Sequence, residues 1–254
     1  MPSLKAVTSS VEIWRTVAMS IAALVEEALF EANENGITFR AMDPSHVAMI
    51  DLFWGKPAFE EYSCTAKLRF GLRVEDVVKM LRGVDRASKV ELNIEEGDVV
   101  GFSFIDEERG EVEKWKLQMV EVYEATTPPL PKITFNVTAS LSTQLLSRAI
   151  KRISAISDHM TIEALTDSLI FRGKSEFGEV HLTIPKNSPE IYEYVAKEPS
   201  TASYNLEFLD SFVKSISKAT PNLIFEFSSK SPLKLESKLA EALQLTFFLA
   251  PRLE

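Results

Sequence analysis

The sequence predicts an α+β chain made of two copies of one unit, with strands outnumbering helices. Three observations carry this expectation. First, Ile37-Thr-Phe-Arg-Ala41 is matched by Leu169-Ile-Phe-Arg-Gly173, and Phe70-Gly-Leu72 by Tyr204-Asn-Leu206, at nearly the same offset. Second, strands and helices follow one another in the same order in both halves. Third, Tyr123-Glu-Ala-Thr-Thr-Pro-Pro-Leu-Pro-Lys132 separates the halves, and its three prolines disfavour helix and central strand alike. A chain of 254 residues exceeds the ~100 to 150 of a usual single domain. The expected organisation is a first domain over 1–122, a connector over 123–132 and a second domain over 133–254.

Each copy opens on a short strand, Leu4 to Val7 and Ile133 to Val137, that runs into serines and threonines able to cap a helix. The first helix repeats apolar residues three and four apart at Val11, Trp14, Ala18 and Ile21. Its counterpart, read from Ser140 to Ser154, does so at Leu145, Leu146, Ala149, Ile150 and Ile153. Strand-like runs follow: Ile37 to Ala41, Val47 to Phe53 and Ala66 to Phe70 in one half, His159 to Leu165, Leu169 to Phe171 and Val180 to Ile184 in the other. A second helix carries Val74, Val77, Val78 and Leu81 in the first copy, and Phe208, Phe212 and Ile216 in the second. Trp115, Leu117 and Met119 alternate with polar residues, as do Val180, Leu182 and Ile184, which predicts half-buried antiparallel strands. Each unit therefore reads as two βαβββ-type repeats.

Composition narrows the function classes. Hydrophobic residues make up 45% and charged residues 26%, which is ordinary for a folded globular protein. The longest apolar stretch, Val17 to Val25, is far shorter than the ~20 residues of a membrane span. No secretory core follows Met1 to Lys5, and Cys64 stands alone, so an intracellular protein without disulfides is expected. A net charge of −9 argues against coating nucleic acid with the whole surface while allowing a local basic stripe.

Catalytic constellations are lacking. Asp43, His46 and Asp51 offer one histidine and two aspartates at a spacing that fits no well-defined metal site. Gly173-Lys-Ser175 ends like a phosphate-binding loop, but Ser168 replaces the required first glycine and a strand follows. Cys64, with only Lys67 and Arg69 near it in sequence, reads as a structural cysteine. No enzyme activity, metal or cofactor is expected.

A different pattern stands out on the helices. Arg148, Lys151 and Arg152 share one helix face, because residues three and four apart are neighbours. Arg15, Lys79 and Arg82, and Lys214 and Lys218, lie opposite the apolar sides of the other three helices. Four such helices on one side of the sheets would make one basic surface that contacts phosphates without reading bases.

Ala41-Met-Asp-Pro-Ser-His-Val-Ala-Met-Ile-Asp-Leu52 resembles the signature of the proliferating cell nuclear antigen family, the sliding clamps of archaeal and eukaryotic DNA replication. Phe247-Phe-Leu-Ala-Pro-Arg-Leu-Glu254 is similar to that family's last strand and tail. Ala219-Thr-Pro221 resembles its turn after the fourth helix, and Pro232-Leu its late hairpin. The resemblance covers the whole chain and is closest to archaeal members. It implies a duplicated DNA-clamp fold, in which three subunits form a ring with helices lining a central hole and sheets forming the outer wall. Its implied role is that of a DNA polymerase processivity factor in replication and repair, which encircles double-stranded DNA without sequence preference and is placed there by a clamp loader. DNA polymerase, flap endonuclease and DNA ligase would bind through a short peptide motif. Such a protein would sit in the cytoplasm with the nucleoid in an archaeon, and in the nucleus of a eukaryote.

The resemblance also assigns residues. It implies Arg15, Lys79, Arg82, Arg148, Lys151, Arg152, Lys214 and Lys218 as the DNA-facing set. The first helix departs from the family, offering Arg15 beside Trp14 where members often have adjacent lysines. The implied peptide pocket comprises Met42, His46, Val47, Leu130, Pro131, Pro232, Phe248, Leu249, Ala250 and Pro251. The strand with Val112, Lys114, Lys116 and Gln118 would pair with Gly178, Val180 and Leu182 of a neighbouring subunit, closing a homotrimer or a heterotrimer of related chains. Two rivals remain: a same-fold checkpoint or scaffold subunit that does not serve polymerase, and an enzyme using Asp43, His46 and Asp51.

Overall fold

The computed structural model describes residues 3–122 and 128–252, apart from 87 and 96; residues 123–127 of the proline-rich connector lie outside this set. The chain divides into two compact units. One comprises Met1–Pro44, Ile50–Pro128 and Lys238–Leu245, the other Ser45–Met49, Pro129–Ser237 and Thr246–Glu254.

The first half of the chain runs β1 (Leu4–Thr8), α1 (Val11–Ala22), β2 (Glu27–Asn33), β3 (Gly36–Met42), β4 (Ala48–Gly55), β5 (Glu61–Cys64), β6 (Leu68–Arg73), α2 (Val74–Leu81), β7 (Lys89–Ile94), β8 (Val99–Asp106) and β9 (Glu111–Gln118). Five strands form a sheet in the order β5-β1-β7-β8-β9, and β4-β3-β2-β6 are neighbours in another. Alternation drives the first: Val90, Leu92 and Ile94 of β7, and Val100, Phe102 and Phe104 of β8, point inward while their neighbours face out. Ser10 caps α1 by accepting from the Glu12 backbone N–H at 3.1 Å. Trp14 of α1 then packs edge-on against Phe102, with ring centroids 5.5 Å apart, and donates its indole N–H to Thr8 at 2.9 Å.

The second half repeats the order: β10 (Val137–Ser142), α3 (Thr143–Ile153), β11 (His159–Ala164), β12 (Ser168–Ser175), β13 (Gly178–Pro185), β14 (Ile191–Ala196), β15 (Ser200–Asn205), α4 (Leu206–Ile216), β16 (Asn222–Phe227), β17 (Leu233–Ala240) and β18 (Leu243–Leu249). Here β13-β12-β11-β15 form a four-stranded sheet, and β14-β10-β16-β17-β18 are consecutive neighbours. Ser142 and Asn205 cap α3 and α4 by accepting from the Leu145 and Glu207 N–H groups at 3.4 and 2.8 Å. Phe212 of α4 stacks on Phe247 of β18 at 4.6 Å. The phenol of Tyr204, buried on β15, donates to the Ser231 carbonyl at 2.8 Å.

Eleven elements in one order, twice, account for the sequence repeat. Several boundaries differ from the sequence reading. The strand expected over 133–137 lies at Val137–Ser142, because Val137, Ala139 and Leu141 are the residues whose alternation meets the core. Helix α3 consequently starts at Thr143 rather than Ser140. In α2 the buried residue beside Val77 is Met80 rather than Val78, and in α4 Leu209 takes the place expected of Phe208. The strand carrying Trp115 is more open than half-buried, since it lies at a sheet edge. Gly173-Lys-Ser175 lies inside β12, so its backbone is committed to a sheet and forms no loop.

Candidate nucleic-acid interface and partner surfaces

Each unit packs its two helices against one another, α1 with α2 and α3 with α4. The amphipathic pattern turns their apolar stripes inward and leaves polar residues out. Lys79, Arg82, Arg148, Lys151, Arg152, Lys214 and Lys218 are all exposed. Arg82 directly follows α2, and Lys218 lies two residues past α4. In α3, Lys151 and Arg152 occupy the last turn, where the helix dipole favours positive charge, and neither has an ion-pair partner among the described residues. Arg148 is held by Glu190 through two hydrogen bonds, at 2.6 and 3.2 Å, and these keep its charge even more firmly than usual. Lys79 pairs with Glu75 at 2.6 Å, which holds that carboxyl below the usual range, and Lys214 pairs with Asp210.

Arg15 stands apart from the set. Its guanidinium is part-buried and donates to the Leu81 carbonyl at 2.9 and 3.1 Å, to the Val84 carbonyl, and to Glu12. Those carbonyls belong to the end of α2 and the turn beyond it, so Arg15 ties one helix to the other. The outward position on α1 goes to Met19, which is exposed.

Within the second unit, the terminal segment after β18 is fixed by its backbone. Ala250 donates to the Val47 carbonyl at 2.8 Å and Arg252 to the Ser203 carbonyl at 2.8 Å. Val47, half-buried, follows His46, an exposed residue with φ of 58° that turns the loop. Leu130 and Pro131 are exposed, and Pro232, Ala250 and Pro251 are half-buried. Phe248 and Leu249 are buried, so their side chains belong mainly to the core. Met42, at the end of β3 in the first unit, is half-buried.

Two anchors escaped the sequence reading. Arg40 on β3 bonds Asp51 on β4 at 2.6 Å and reaches the Pro128 carbonyl at 3.3 Å, tying down the connector's proline end. This engagement of Asp51 leaves it part of an ion pair rather than of a cluster with Asp43 and His46. Arg252 lies 3.0 Å from His159 Nδ1 and 3.5 Å from Asp158, whose carboxyl is held below its usual range chiefly by the His159 hydrogen bond. An arginine directly after a late proline was the one hint available. Cys64 donates to the Ala66 carbonyl, and burial pushes its thiol pKa up, as suits an inert cysteine.

Among the strands that end a sheet are β9 and β13. β9 pairs only with β8, and β13 only with β12, so each ends its sheet with a row of unpaired backbone groups. None of the described helices is long and apolar enough to cross a membrane.

A twice-repeated set of nine strands and two helices, with basic residues on the exposed helix faces, defines the clamp-fold class of α+β protein. Family models agree: that of the proliferating cell nuclear antigen N-terminal domain matches residues 4–126, and that of its C-terminal domain matches 129–252. The chain belongs to the proliferating cell nuclear antigen family. Relatives described as DNA polymerase sliding clamps include one from Nitrosopumilus maritimus, 35% identical over 97% of both chains. Another, described as DNA polymerase sliding clamp 1, comes from Pyrobaculum aerophilum and is 33% identical over 92% of both chains. The crystal structure of PCNA from Thermococcus kodakaraensis superposes with a TM-score of 0.90, covering 98% of this chain and 100% of that one at 22% identity.

Proposed function

We propose that this chain is a DNA polymerase sliding clamp subunit: a non-enzymatic processivity factor that encircles duplex DNA in a ring and tethers enzymes to it. One observation of the structure carries the reading beyond family membership. Seven lysines and arginines stand exposed on or just after three of the four helices in a protein whose net charge is −9. Cations exposed on the helices attract phosphate there, while the net negative charge of the chain opposes its approach elsewhere.

Mechanistically, the DNA-facing set consists of Lys79, Arg82, Arg148, Lys151, Arg152, Lys214 and Lys218. Arg15 supports this surface from behind by holding α1 against α2. The unpaired edges of β9 and β13 are the surfaces for ring closure, and the loop at His46–Val47, the connector residues Leu130 and Pro131, and the segment at Ala250 and Pro251 receive the peptide motif of a partner enzyme. A clamp loader, polymerase, flap endonuclease and ligase are the partner classes this predicts.

The test is charge reversal. Replacing Arg148, Lys151 and Arg152 by glutamate lowers loading on primed circular DNA by about tenfold or more while the protein's folded spectrum stays intact, since each lost phosphate contact removes counterion-release free energy. Unchanged loading would overturn the assignment of the helix faces.

A further inference from the structure

We propose that Arg252 is a positioning residue for partner recognition: its guanidinium, held by Asp158 and His159 at the start of β11, fixes the segment at Ala250 and Pro251, and protonation of His159 loosens that hold. The inference rests on the reading of this segment as part of the peptide-receiving surface and adds what regulates it.

Backbone bonds secure the segment sparsely. Ala250 donates to the Val47 carbonyl and Arg252 to the Ser203 carbonyl, both at 2.8 Å, while Pro251 between them has no N–H to give. The first copy of the repeat fixes its equivalent segment by another means. There Val120 donates to the Gly71 carbonyl at 3.0 Å, and Gly71 stands two residues before the N-cap of α2, as Ser203 stands two before that of α4. A Cβ on Gly71 would come within 2.2 Å of the Val120 carbonyl oxygen, so the first copy achieves a backbone approach that a side chain forbids. Ser203 carries such a side chain, bonded to Thr161 at 2.7 Å. The second copy adds a side-chain anchor instead, Arg252.

The anchor's geometry contains a choice. Nδ1 of His159 lies 2.7 Å from Asp158 Oδ1 and 3.0 Å from Arg252 Nη1, with Ser157 Oγ at 3.4 Å. Arginine can only donate, so it needs Nδ1 bare; a carboxylate can only accept, so it needs Nδ1 protonated. One nitrogen cannot serve both. With the imidazole neutral and its hydrogen on Nε2, Arg252 bonds Nδ1 and lies 3.5 Å from Asp158. The imidazolium instead gives its Nδ1 hydrogen to Asp158 and sets a positive charge against the guanidinium. Asp158, held below the usual carboxylate range chiefly by the His159 hydrogen bond, keeps its own charge in both states.

Charges on the surrounding elements are spread around this pair. β15, which meets His159 at Asn205, carries no charged residue; β12 carries Arg172, paired with Glu163, and the exposed Lys174; α3 ends with Lys151 and Arg152, and α4 opens on Glu207. Asp158 and Arg252 are the charged groups in hydrogen-bond reach of the ring among the described residues.

Two measurements on the full chain test this: binding of a histidine-free fluorescent peptide carrying the motif of a partner flap endonuclease, and hydrogen exchange over residues 246–252 at one pH. Arg252→Ala weakens peptide binding by about threefold to tenfold and speeds exchange of the segment by a similar factor, with the folded spectrum unchanged, and Arg252→Lys recovers part of both. From about pH 8 to about pH 5.5, where histidines change charge, wild-type affinity falls by about threefold more than that of His159→Asn, whose amide oxygen accepts from Arg252 without titrating. Equal affinity and exchange in wild type and Arg252→Ala overturn the inference and leave the peptide surface standing. A pH dependence that survives His159→Asn assigns the titration to His46 of the same surface and overturns the role of His159. A wild-type chain that binds no peptide overturns the reading of the surface itself, and this use of Arg252 with it.

Discussion

Arg15 illustrates how a residue's place on a helix underdetermines its use. Opposite an apolar stripe, it belonged by pattern with the other outward cations, yet its guanidinium satisfies carbonyls at the end of α2. Arg15→Ala removes a charged donor and leaves those carbonyls to find water, a loss of about 2 kcal/mol. Thermal unfolding should show the midpoint fall by several degrees, with DNA loading less affected than by Lys151→Ala; an unchanged midpoint with lost loading would return Arg15 to the DNA-facing set. Spacing alone identified Arg148, Lys151 and Arg152, because a 3.6-residue period fixes which side chains share a face. Spacing could not show that Leu81 and Val84 present carbonyls to residue 15, which depends on where α2 stops. Nor could it separate Leu249, whose side chain is in the core, from half-buried Ala250 and Pro251.

At the scale of elements, the seat of α3 on its sheet decides where the basic face points. Gly173 on β12 lies beneath Ile153, and a methyl group there would meet Ile153 Cγ2 at 2.4 Å. Gly173→Ala must therefore displace the end of α3 or the strand, at a cost of about 1 to 3 kcal/mol. Denaturant unfolding should report that loss, and an unaltered midpoint would mean that α3 can shift freely. The paired motifs around Phe39 and Phe171 revealed the duplication, whereas β2 stayed hidden. Its residues, Glu-Ala-Leu-Phe-Glu-Ala-Asn, include good helix formers, and only pairing with β3 and β6 makes them a strand. The displaced start of β10 has a similar cause: Ile133 and Val137 looked like one strand, but the partners supplied by β14 and β16 begin at Val137.

For the whole molecule, the central claim is that DNA is held by enclosure while the charged helices keep the contact weak. The sequence signature from Ala41 to Leu52 made the family legible, and the family models and relatives bear it out along nearly the full chain. Which strands lie at sheet edges could not be read from periodicity, because β9 and β13 have the alternation of any half-covered strand; sheet order places both at the ends of their sheets. Enclosure and phosphate gripping predict different responses to salt and to DNA ends. Ionic contacts weaken steeply as salt rises, and a ring does not depend on them to stay threaded. The decisive measurement is retention of the loaded protein on closed circular DNA in high salt, before and after a single cut linearises it. The account predicts retention on the circle and loss once ends are available. Equal retention on both, or loss from both as salt rises, would contradict it.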